Sequence, residues 1–368
     1  MDVPKTIVSS SPHLHAKANT ASIMWDVSIA LTPATLWGVY VFGLRALAIV
    51  LVSIASSVLV EYLLNRLSKE STIGDGSAFL TGLLVGMNMP ADAAFAVPII
   101  ASAFAIFVVK WTFGGLGSNW INPALAGRVF VFFSFTGLMN TYRMPRTLTV
   151  VDATSSATML TEMKLAVGEG TFGGLSSAGL LAQRGYPFTD FAGSVSGWFQ
   201  NTLGIGLSPY TVDAFFGNIA GCIGEVSAFL LILGAVYLFI KKVITWHTPV
   251  SFLVSFSLFA WIFGGFKNGM GIFQGDFVLQ LFSGGMILGA FFMATDMVTS
   301  PTTGKGMIIF GAGIGFFTFL FRYFGSLPEA VSLAIILMNI FVPTIERYVL
   351  PKRFGEVIAE PKKKEAKA

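Results

Sequence analysis

A cluster of small hydroxyl residues in the segment Val151–Thr161 is the first place where this sequence could do chemistry. The segment reads Val-Asp-Ala-Thr-Ser-Ser-Ala-Thr-Met-Leu-Thr. A hydroxyl can act as a nucleophile in covalent chemistry, but hydroxyl residues also begin helices by accepting a hydrogen bond from a backbone N–H. From composition alone we predict that Ser155 or Ser156 is the N-cap of a short amphipathic helix over Met159–Val167, with nucleophilic chemistry as the alternative.

Three charged residues, Asp26, Arg128 and Glu225, lie within apolar segments. A charge inside a bilayer costs about 3 kcal/mol on insertion scales, so each of them needs a partner or a wet cavity. One interpretation is an ion or proton pathway. The other is that Asp26 reaches the interface from a helix end while Arg128 and Glu225 form a structural pair. Three further charged residues near helix ends are predicted to be interfacial anchors, Glu61, Lys110 and Arg347.

Several kinds of redox and nucleotide site are excluded by residue type. Cys222 is the one cysteine, and the histidines are His13, His15 and His247, which are too few for an iron-sulfur cluster, a structural zinc or a bis-histidine haem. There is no dinucleotide-binding glycine fingerprint, and the Gly-Lys-Gly at 304–306 lacks the spacing of a phosphate-binding loop. We therefore predict no metal site and no complete catalytic site in this chain.

The elements that must position these residues are membrane helices. The chain is 54% hydrophobic and 11% charged, whereas soluble domains have roughly 25% charged residues. About ten apolar segments approach the ~20 residues of a spanning helix. They are Met24–Phe42, Leu47–Leu64, Ala78–Met89, Phe95–Val109, Pro123–Leu138, Asn218–Ile240, Pro249–Gly264, Phe277–Thr295, Gly306–Phe321 and Ala330–Ile345.

These segments divide the chain into an N-terminal segment 1–23, a first membrane half 24–138, a long connection 139–217, a second half 218–345 and a basic tail 346–368. Basic residues mark the cytoplasmic side of a membrane protein. The lysine-rich tail then places both termini in the cytoplasm and the long connection outside it. A connection of that length is usually functional or disordered.

A glycine-rich pattern recurs in the two membrane halves. Gly74-Asp75-Gly76 opens a short segment in the first half, and Gly275-Asp276 followed by Gly284-Gly285 occurs in the second. Because the two lie an odd number of spans apart, a repeat of this kind is inverted in the membrane, and interrupted segments at matching positions indicate a central site. The fold class predicted is an all-α polytopic membrane protein with two inverted repeats. The alternative is that glycine-rich membrane helices are simply common.

The hydroxyl cluster resembles the flavinylation motif of the RnfD and NqrB family. In that motif an Asp is followed by Ser or Thr, a small residue and then Ala-Thr, which here are Asp152, Ser155, Ser156, Ala157 and Thr158. Ser156 stands where a Gly is usual. The resemblance implies that a flavin transferase joins FMN to the Thr158 hydroxyl as a phosphoester, and that Asp152 serves recognition by the transferase.

Other segments carry the same resemblance, so that it covers most of the chain. They are Ser11–His15, Ile23–Val27, Ala30–Pro33, Phe42–Leu47, Asn122–Ala124 and Ala294–Pro301. The short N-terminal segment favours the RnfD branch, since NqrB subunits usually carry a longer extension.

The resemblance implies an electron-transfer subunit of an ion-translocating ferredoxin:NAD oxidoreductase, the Rnf complex, in the bacterial cytoplasmic membrane. It further implies a noncovalent riboflavin in the membrane domain and coupling to Na⁺ or H⁺ transport. Expected partners are cluster-bearing, NAD-linked and second FMN-bearing subunits, the flavin transferase and membrane lipid, with no nucleic acid. Two alternatives stay open: an NqrB-like subunit of a sodium-pumping quinone reductase, and a solute channel or transporter on the same inverted-repeat fold.

Overall fold

The computed structural model describes residues 19–68, 72–148, 157–168, 174–266, 269–325 and 330–349. Within these ranges the chain forms helices and connections and no strand. The helices are α1 (Thr20–Phe42), α2 (Leu44–Ser68), α3 (Ser77–Met87), α4 (Ala96–Ala103, continued by a π-helix Phe104–Trp111), α5 (Pro123–Ser134), α6 (Thr136–Met139), α7 (Met159–Gly168), α8 (Ser177–Gln183), α9 (Asp190–Leu203), α10 (Pro209–Phe216), α11 (Ala228–Ile240), α12 (His247–Phe263), α13 (Phe277–Phe282), α14 (Met286–Leu288, continued by a π-helix Gly289–Met293), α15 (Gly304–Phe324) and α16 (Val331–Tyr348).

The predicted fold class is confirmed: the chain is an all-α polytopic membrane protein. Among the described helices, α2, α15 and α16 are long and apolar enough to cross a membrane unaided. Shorter apolar helices accompany them, namely α3, α4 with its π-helical continuation, α5, α11 and α12. Large apolar side chains such as Leu59 and Ile240 remain exposed on these helices, as a lipid-facing surface requires.

Close helix contacts in both halves depend on glycine pairs one turn apart. A Cβ added at Gly82 or Gly86 of α3 would lie within 3.0 Å of the α2 backbone. A Cβ at Gly311 or Gly315 of α15 would approach the α12 backbone to 2.5 and 2.6 Å. Small residues at this spacing let membrane helices pack backbone to backbone.

Three predicted spans are not continuous helices, and two of them lie in the second half. The segment 218–227 is irregular, and α11 begins only at Ala228. The reason is that the N–H groups of Ile223 and Gly224 donate to the carbonyls of Met89 and Met87, 3.1 and 2.7 Å away, instead of to helical partners. The predicted span Phe277–Thr295 is broken at Gly284 and Gly285, whose φ angles are +65° and +70°, a conformation that favours glycine.

The break in the second half has a counterpart in the first. Gly76, with φ +75°, precedes α3 in the same left-handed conformation that Gly285 adopts before α14. The first half also departs from its predicted helices, because the span Pro123–Leu138 is interrupted at Phe135 between α5 and α6. Left-handed glycines therefore precede both α3 and α14, while a repeat of the two halves and its inversion in the membrane stay predictions.

The described residues of the long connection between the halves form four helices, α7 to α10, rather than a bare loop. Of these, α7, α8 and α10 share an apolar core with the second half that is distinct from the main one. Its buried residues are Met159, Leu160, Met163, Leu181, Tyr186, Tyr210, Ala214, Ile219 and Leu279. Because Leu279 belongs to α13, this core holds the connection against the broken helix.

Candidate functional site

Thr158 is the N-cap of α7. Its Oγ1 accepts a hydrogen bond from the Thr161 N–H at 3.3 Å and shares another with the Thr161 hydroxyl at 2.9 Å. The predicted helix after the hydroxyl cluster is confirmed, but the predicted cap at Ser155 or Ser156 is wrong, because the Thr158 side chain already occupies that position. Asp152, Ser155 and Ser156 lie outside the described residues.

Thr158 and its neighbours are buried against the break in the second half. Thr158 is 4% exposed and Leu160 is 3% exposed, while Ala157 is half-buried. A Cβ at Gly284 would overlap Leu160 Cδ1, so α7 rests directly on the glycine break between α13 and α14. The position of Thr158 is therefore set by a contact between two segments far apart in the sequence.

A small cavity lies beside Thr158, with about 10 Å³ open to the centre of a water-sized sphere. It is lined by Thr158, Met159, Leu160, Ile219, Ala220, Gly221, Glu225, Ser283 and Gly284. Glu225 thus faces the same space as Thr158. About 10 Å³ holds roughly one water molecule, so the cavity admits neither a phosphate nor a flavin ring system without a movement of its walls.

The predicted pair of Arg128 and Glu225 is present. Arg128 Nη1 lies 3.0 Å from Glu225 Oε1, and the two side chains are 6% and 2% exposed. Nη1 also donates to Asn88 Oδ1 at 3.0 Å and to the Ser332 hydroxyl at 2.8 Å, and Nη2 lies 3.6 Å from Cys222 Sγ. This network joins α5, α16 and the irregular segment before α11.

Arg322 on α15 is a buried cation that the sequence did not single out. Its Nη1 donates to the Gln280 carbonyl at 2.6 Å, and its Nη2 donates to the carbonyls of Ser283 and Gly284, both at 3.1 Å. These carbonyls end α13 and would otherwise lack helical partners. Since Ser283 and Gly284 line the Thr158 cavity, Arg322 stabilises the wall of that cavity and brings positive charge near it.

Asp26 is not part of this network. Its Oδ1 accepts a hydrogen bond of 2.7 Å from the Tyr237 hydroxyl and lies 3.6 Å from Lys241 Nζ. The side chain is 21% exposed, and Lys241 follows the end of α11. The structure therefore pairs Asp26 at a helix end and brings together only the other two predicted intramembrane charges.

A larger cavity, the central cavity, lies between the two halves and has about 130 Å³ open to the centre of a water-sized sphere. Most of its wall is apolar. The polar residues in its lining are Ser77, Thr81, Lys110, Asn119, Asn122, Thr295 and Asp296. Two segments on which the family resemblance rests, Asn122–Ala124 and Ala294–Pro301, thus contribute to a single site.

Asn122 connects the central cavity with the helices around it. Its Oδ1 accepts hydrogen bonds from the N–H groups of Ala124 and Leu125, which makes it the N-cap of α5, and its Nδ2 donates to the Met293 carbonyl at 3.3 Å. Asn88, which holds Arg128, has its Nδ2 4.0 Å from Met293 Sδ. Met293 therefore lies between the network of Glu225, Arg128 and Asn88 and the Asn122 side chain in the central cavity.

The predicted anchoring role of Glu61 and Lys110 is wrong. The two side chains are each 4% exposed and form an ion pair with a 2.7 Å contact between Nζ and Oε2. Helix-end position suggested exposure, but the π-helix that ends at Trp111 places Lys110 on the inner face. Arg347 is exposed, in keeping with an anchor.

The described residues contain no cluster of three or more histidine, cysteine or acidic side chains that could hold a metal ion.

Comparison with known proteins assigns the chain to a family. The model of the NQR2, RnfD, RnfE family matches residues 7–355. The chain is 40% identical over 365 residues to the D subunit of the Na(+)-translocating ferredoxin:NAD(+) oxidoreductase complex of Acetobacterium woodii, covering 98% of both chains. It is also 40% identical to the D subunit of the proton-translocating ferredoxin:NAD(+) oxidoreductase complex of Clostridium ljungdahlii, over 95% of this chain and 96% of the relative.

A more distant relative also matches the chain along nearly its whole length. The chain is 33% identical to the D subunit of the ion-translocating oxidoreductase complex of Actinobacillus succinogenes, over 95% of this chain and 97% of that protein. Near-complete coverage in every case means that the membrane halves and the connection with Thr158 are matched together. The chain belongs to the NQR2, RnfD, RnfE family.

Proposed function

We propose that this chain is an electron-transfer subunit of an ion-translocating ferredoxin:NAD oxidoreductase complex in the bacterial cytoplasmic membrane. Relatives that match it along nearly their full length are named as the D subunits of such complexes. The single observation that carries the proposal is Thr158, whose hydroxyl begins α7 in a cavity shared with Glu225. The oxidoreductase requires other subunits, because no NAD fingerprint and no set of cluster ligands is present in the sequence.

Thr158 is the proposed attachment point for FMN, through a phosphoester made by a flavin transferase. An anionic phosphate at the N-terminus of a helix is stabilised by the free N–H groups of the first turn and by the helix dipole. Thr158 stands at that position on the ten-residue helix α7. FMN would supply one- and two-electron redox chemistry.

The dimensions of the Thr158 cavity define how FMN would be held. Because the space beside Thr158 holds about one water molecule, the flavin ring must extend away from Glu225 toward the outer surface of the connection. In this arrangement Arg322, through the Ser283 and Gly284 carbonyls, keeps the floor of the site rigid. The buried state of Thr158 further implies that the transferase acts before α7 packs onto Gly284.

The central cavity is the proposed site of a second, noncovalent flavin, riboflavin. A flavin ring is broad, flat and largely apolar with one polar edge. The cavity offers apolar walls from Leu84 and Phe292, and amide groups from Asn119 and Asn122 on one side. Ligand sites typically combine such an apolar lining with a few polar groups that fix orientation.

Arg128 and Glu225 are proposed to belong to the ion or proton pathway, since their contacts lie between the two flavin sites. Asp26 is retained as a separate pathway residue nearer the surface. Sequence identity does not indicate which ion is transported, because one 40% identical relative is named for Na⁺ and the other for protons.

We further propose that both termini are cytoplasmic and that the connection with Thr158 is extracytoplasmic, where the second FMN-bearing subunit would meet it.

A sharp test uses in-gel flavin fluorescence of the denatured chain, expressed with its complex and a flavin transferase. Thr158→Val is compared with Thr161→Val, a matched change three residues away that removes the hydroxyl bonded to Thr158. Fluorescence lost only in Thr158→Val supports the covalent site. A parent chain without fluorescence, despite active transferase, would overturn the flavin proposal and favour a solute transporter.

The quinone-reductase alternative is distinguished by activity of the purified complex. Ferredoxin-dependent NAD reduction supports the proposal. Quinone reduction by NADH without ferredoxin-linked activity would place the chain with the NQR branch instead.

A further inference from the structure

A second polar cluster, separate from Thr158 and Arg128, lies between the central cavity and a neighbouring one. This neighbour, here called the vestibule, has about 660 Å³ of space. It is lined by Glu61, Leu64, Asn65, Ser68, Thr72, Ile106, Lys110, Trp111, Gly114, Gly115 and Leu116. Its lining includes exposed residues, among them Ser68 and Trp111, so the vestibule opens at the surface of the chain.

Two residues, Lys110 and Leu116, line both cavities. These two side chains therefore lie in the partition between the vestibule and the central cavity, and Lys110 places a buried ammonium group there. Of these two, only the ammonium group can carry a proton.

Hydrogen bonds run without interruption through this partition. On the vestibule side, the Thr72 hydroxyl donates to Glu61 Oε1 at 2.7 Å. Lys110 Nζ donates to Glu61 Oε2 at 2.7 Å and to the Ser77 hydroxyl at 2.6 Å. Ser77 lines the central cavity, so the chain of donors and acceptors reaches from one cavity to the other.

If the Glu61–Lys110 ion pair served only to stabilise the fold, the free-energy cost of burying its two charges would have no explanation. Desolvating two charges costs several kcal/mol, and a buried ion pair is often no more stable than an apolar pair of the same shape. Lys110 also lies on the π-helix Phe104–Trp111, and π-helical turns occur frequently at functional sites. Both features indicate that charge at this partition is retained for function.

We propose that Glu61, Lys110 and Ser77 form a proton relay from the vestibule to the ligand of the central cavity. This inference rests on the proposed noncovalent flavin, which takes up protons when it is reduced. Ser77, whose hydroxyl donates to Asp75 here, rotates and releases its proton into the central cavity while accepting one from Lys110 Nζ. A proton from vestibule water then reaches Lys110 through the Glu61 carboxylate, so one proton enters, one leaves and the relay returns to its starting charge.

The test uses the whole complex and the double variant Glu61→Gln/Lys110→Met, which removes both charges while keeping shape and leaves no buried charge unpaired. Ser77→Ala is the second variant, because it interrupts the relay and keeps the ion pair. The matched control is Glu346→Gln, an isosteric change to a carboxylate that accepts from Thr302 at the surface. Covalent and extractable flavin are measured first, then ferredoxin-dependent NAD reduction in H₂O and D₂O, with and without formate as a small proton carrier.

We expect both relay variants to keep the parent's flavin content and to lose turnover on the order of 10²-fold, the usual contribution of a positioned proton donor. We also expect their solvent isotope effect to exceed the parent's, formate to restore part of the rate, and Glu346→Gln to behave as the parent.

Parent turnover in either relay variant at full flavin content would overturn the relay. So would a loss that is equal in H₂O and D₂O and is restored by Na⁺ rather than by formate. A parent complex without extractable flavin would instead reject the proposed central-cavity ligand, which separates that failure from failure of the relay.

Discussion

Thr158 and Glu225 line the same cavity, although Thr158 begins α7 in the long connection and Glu225 precedes α11. A phosphoester at Thr158 would place a second negative charge beside this carboxylate, and like charges in a shared site repel. Arg128, 3.0 Å from Glu225, offsets that repulsion. The ion pair therefore makes the cavity compatible with an anionic group.

Removing Arg128 alone should be much more harmful than removing the whole pair. Arg128→Met leaves Glu225 buried without its guanidinium and should destabilise the chain by about 3–5 kcal/mol. Arg128→Met/Glu225→Gln should lose far less, as measured by thermal unfolding in detergent. If the double variant unfolds as readily as the single one, the contacts of Arg128 with Asn88 and Ser332 dominate instead.

Gly284→Ala should loosen the packing of α7. The added Cβ would overlap Leu160 Cδ1, at a residue with φ +65°, and we expect a cost of about 1–3 kcal/mol. Faster hydrogen exchange of the α7 amides would report the loss. The matched control is Gly221→Ala in the same cavity lining, where an added Cβ meets nothing within 4 Å. Equal effects of the two changes would contradict the contact.

Asn122→Ser should separate capping from ligand binding. Serine is also a good N-cap, so α5 should keep its cap. The free energy of unfolding should fall by only about 1 kcal/mol, because the Met293 carbonyl loses the hydrogen bond from the Asn122 amide. The shorter side chain takes the amide out of the central cavity, and extractable noncovalent flavin should fall while covalent fluorescence persists. Asn19→Ser is the control, since Asn19 caps α1 at an exposed position. Flavin loss in both variants would point to general destabilisation.

Packing of the connection should weaken as pH rises. Burial raises the pKa of the Asp213 carboxyl above its usual range, against the lowering effect of hydrogen bonds from Thr189. A carboxyl whose pKa is raised by folding adds stability below its unfolded pKa, and that stability is lost as pH rises through the folded value. The protection factors of the α9 and α10 amides, in which the base-catalysed rise of intrinsic exchange with pH is divided out, should therefore be larger at mildly acidic pH than at neutral pH. Asp213→Asn should remove the difference, and a persisting difference would assign it to another group.

The sequence by itself determined the class of protein, the approximate helices and the family. Low charge and long apolar runs admit few structures other than membrane helices, because every backbone polar group must be satisfied within the bilayer. The motif ending at Thr158 and the segments around Asn122 and Asp296 carried the resemblance. A helix starting at Met159 was also predictable from its amphipathic pattern, although its N-cap is Thr158 and not Ser155 or Ser156.

Only the tertiary structure decided which of these residues meet. The sequence left the partners of Arg128 and Glu225 open, and long-range packing brought the two side chains together as a pair. Helix ends at Glu61 and Lys110 suggested exposure, yet the π-helical turn and the neighbouring α2 buried both side chains. The contacts of Leu160 with Gly284 and of Gly224 with Met87 join segments distant in sequence. No local pattern encodes such contacts, since they depend on how the two halves close around shared cavities.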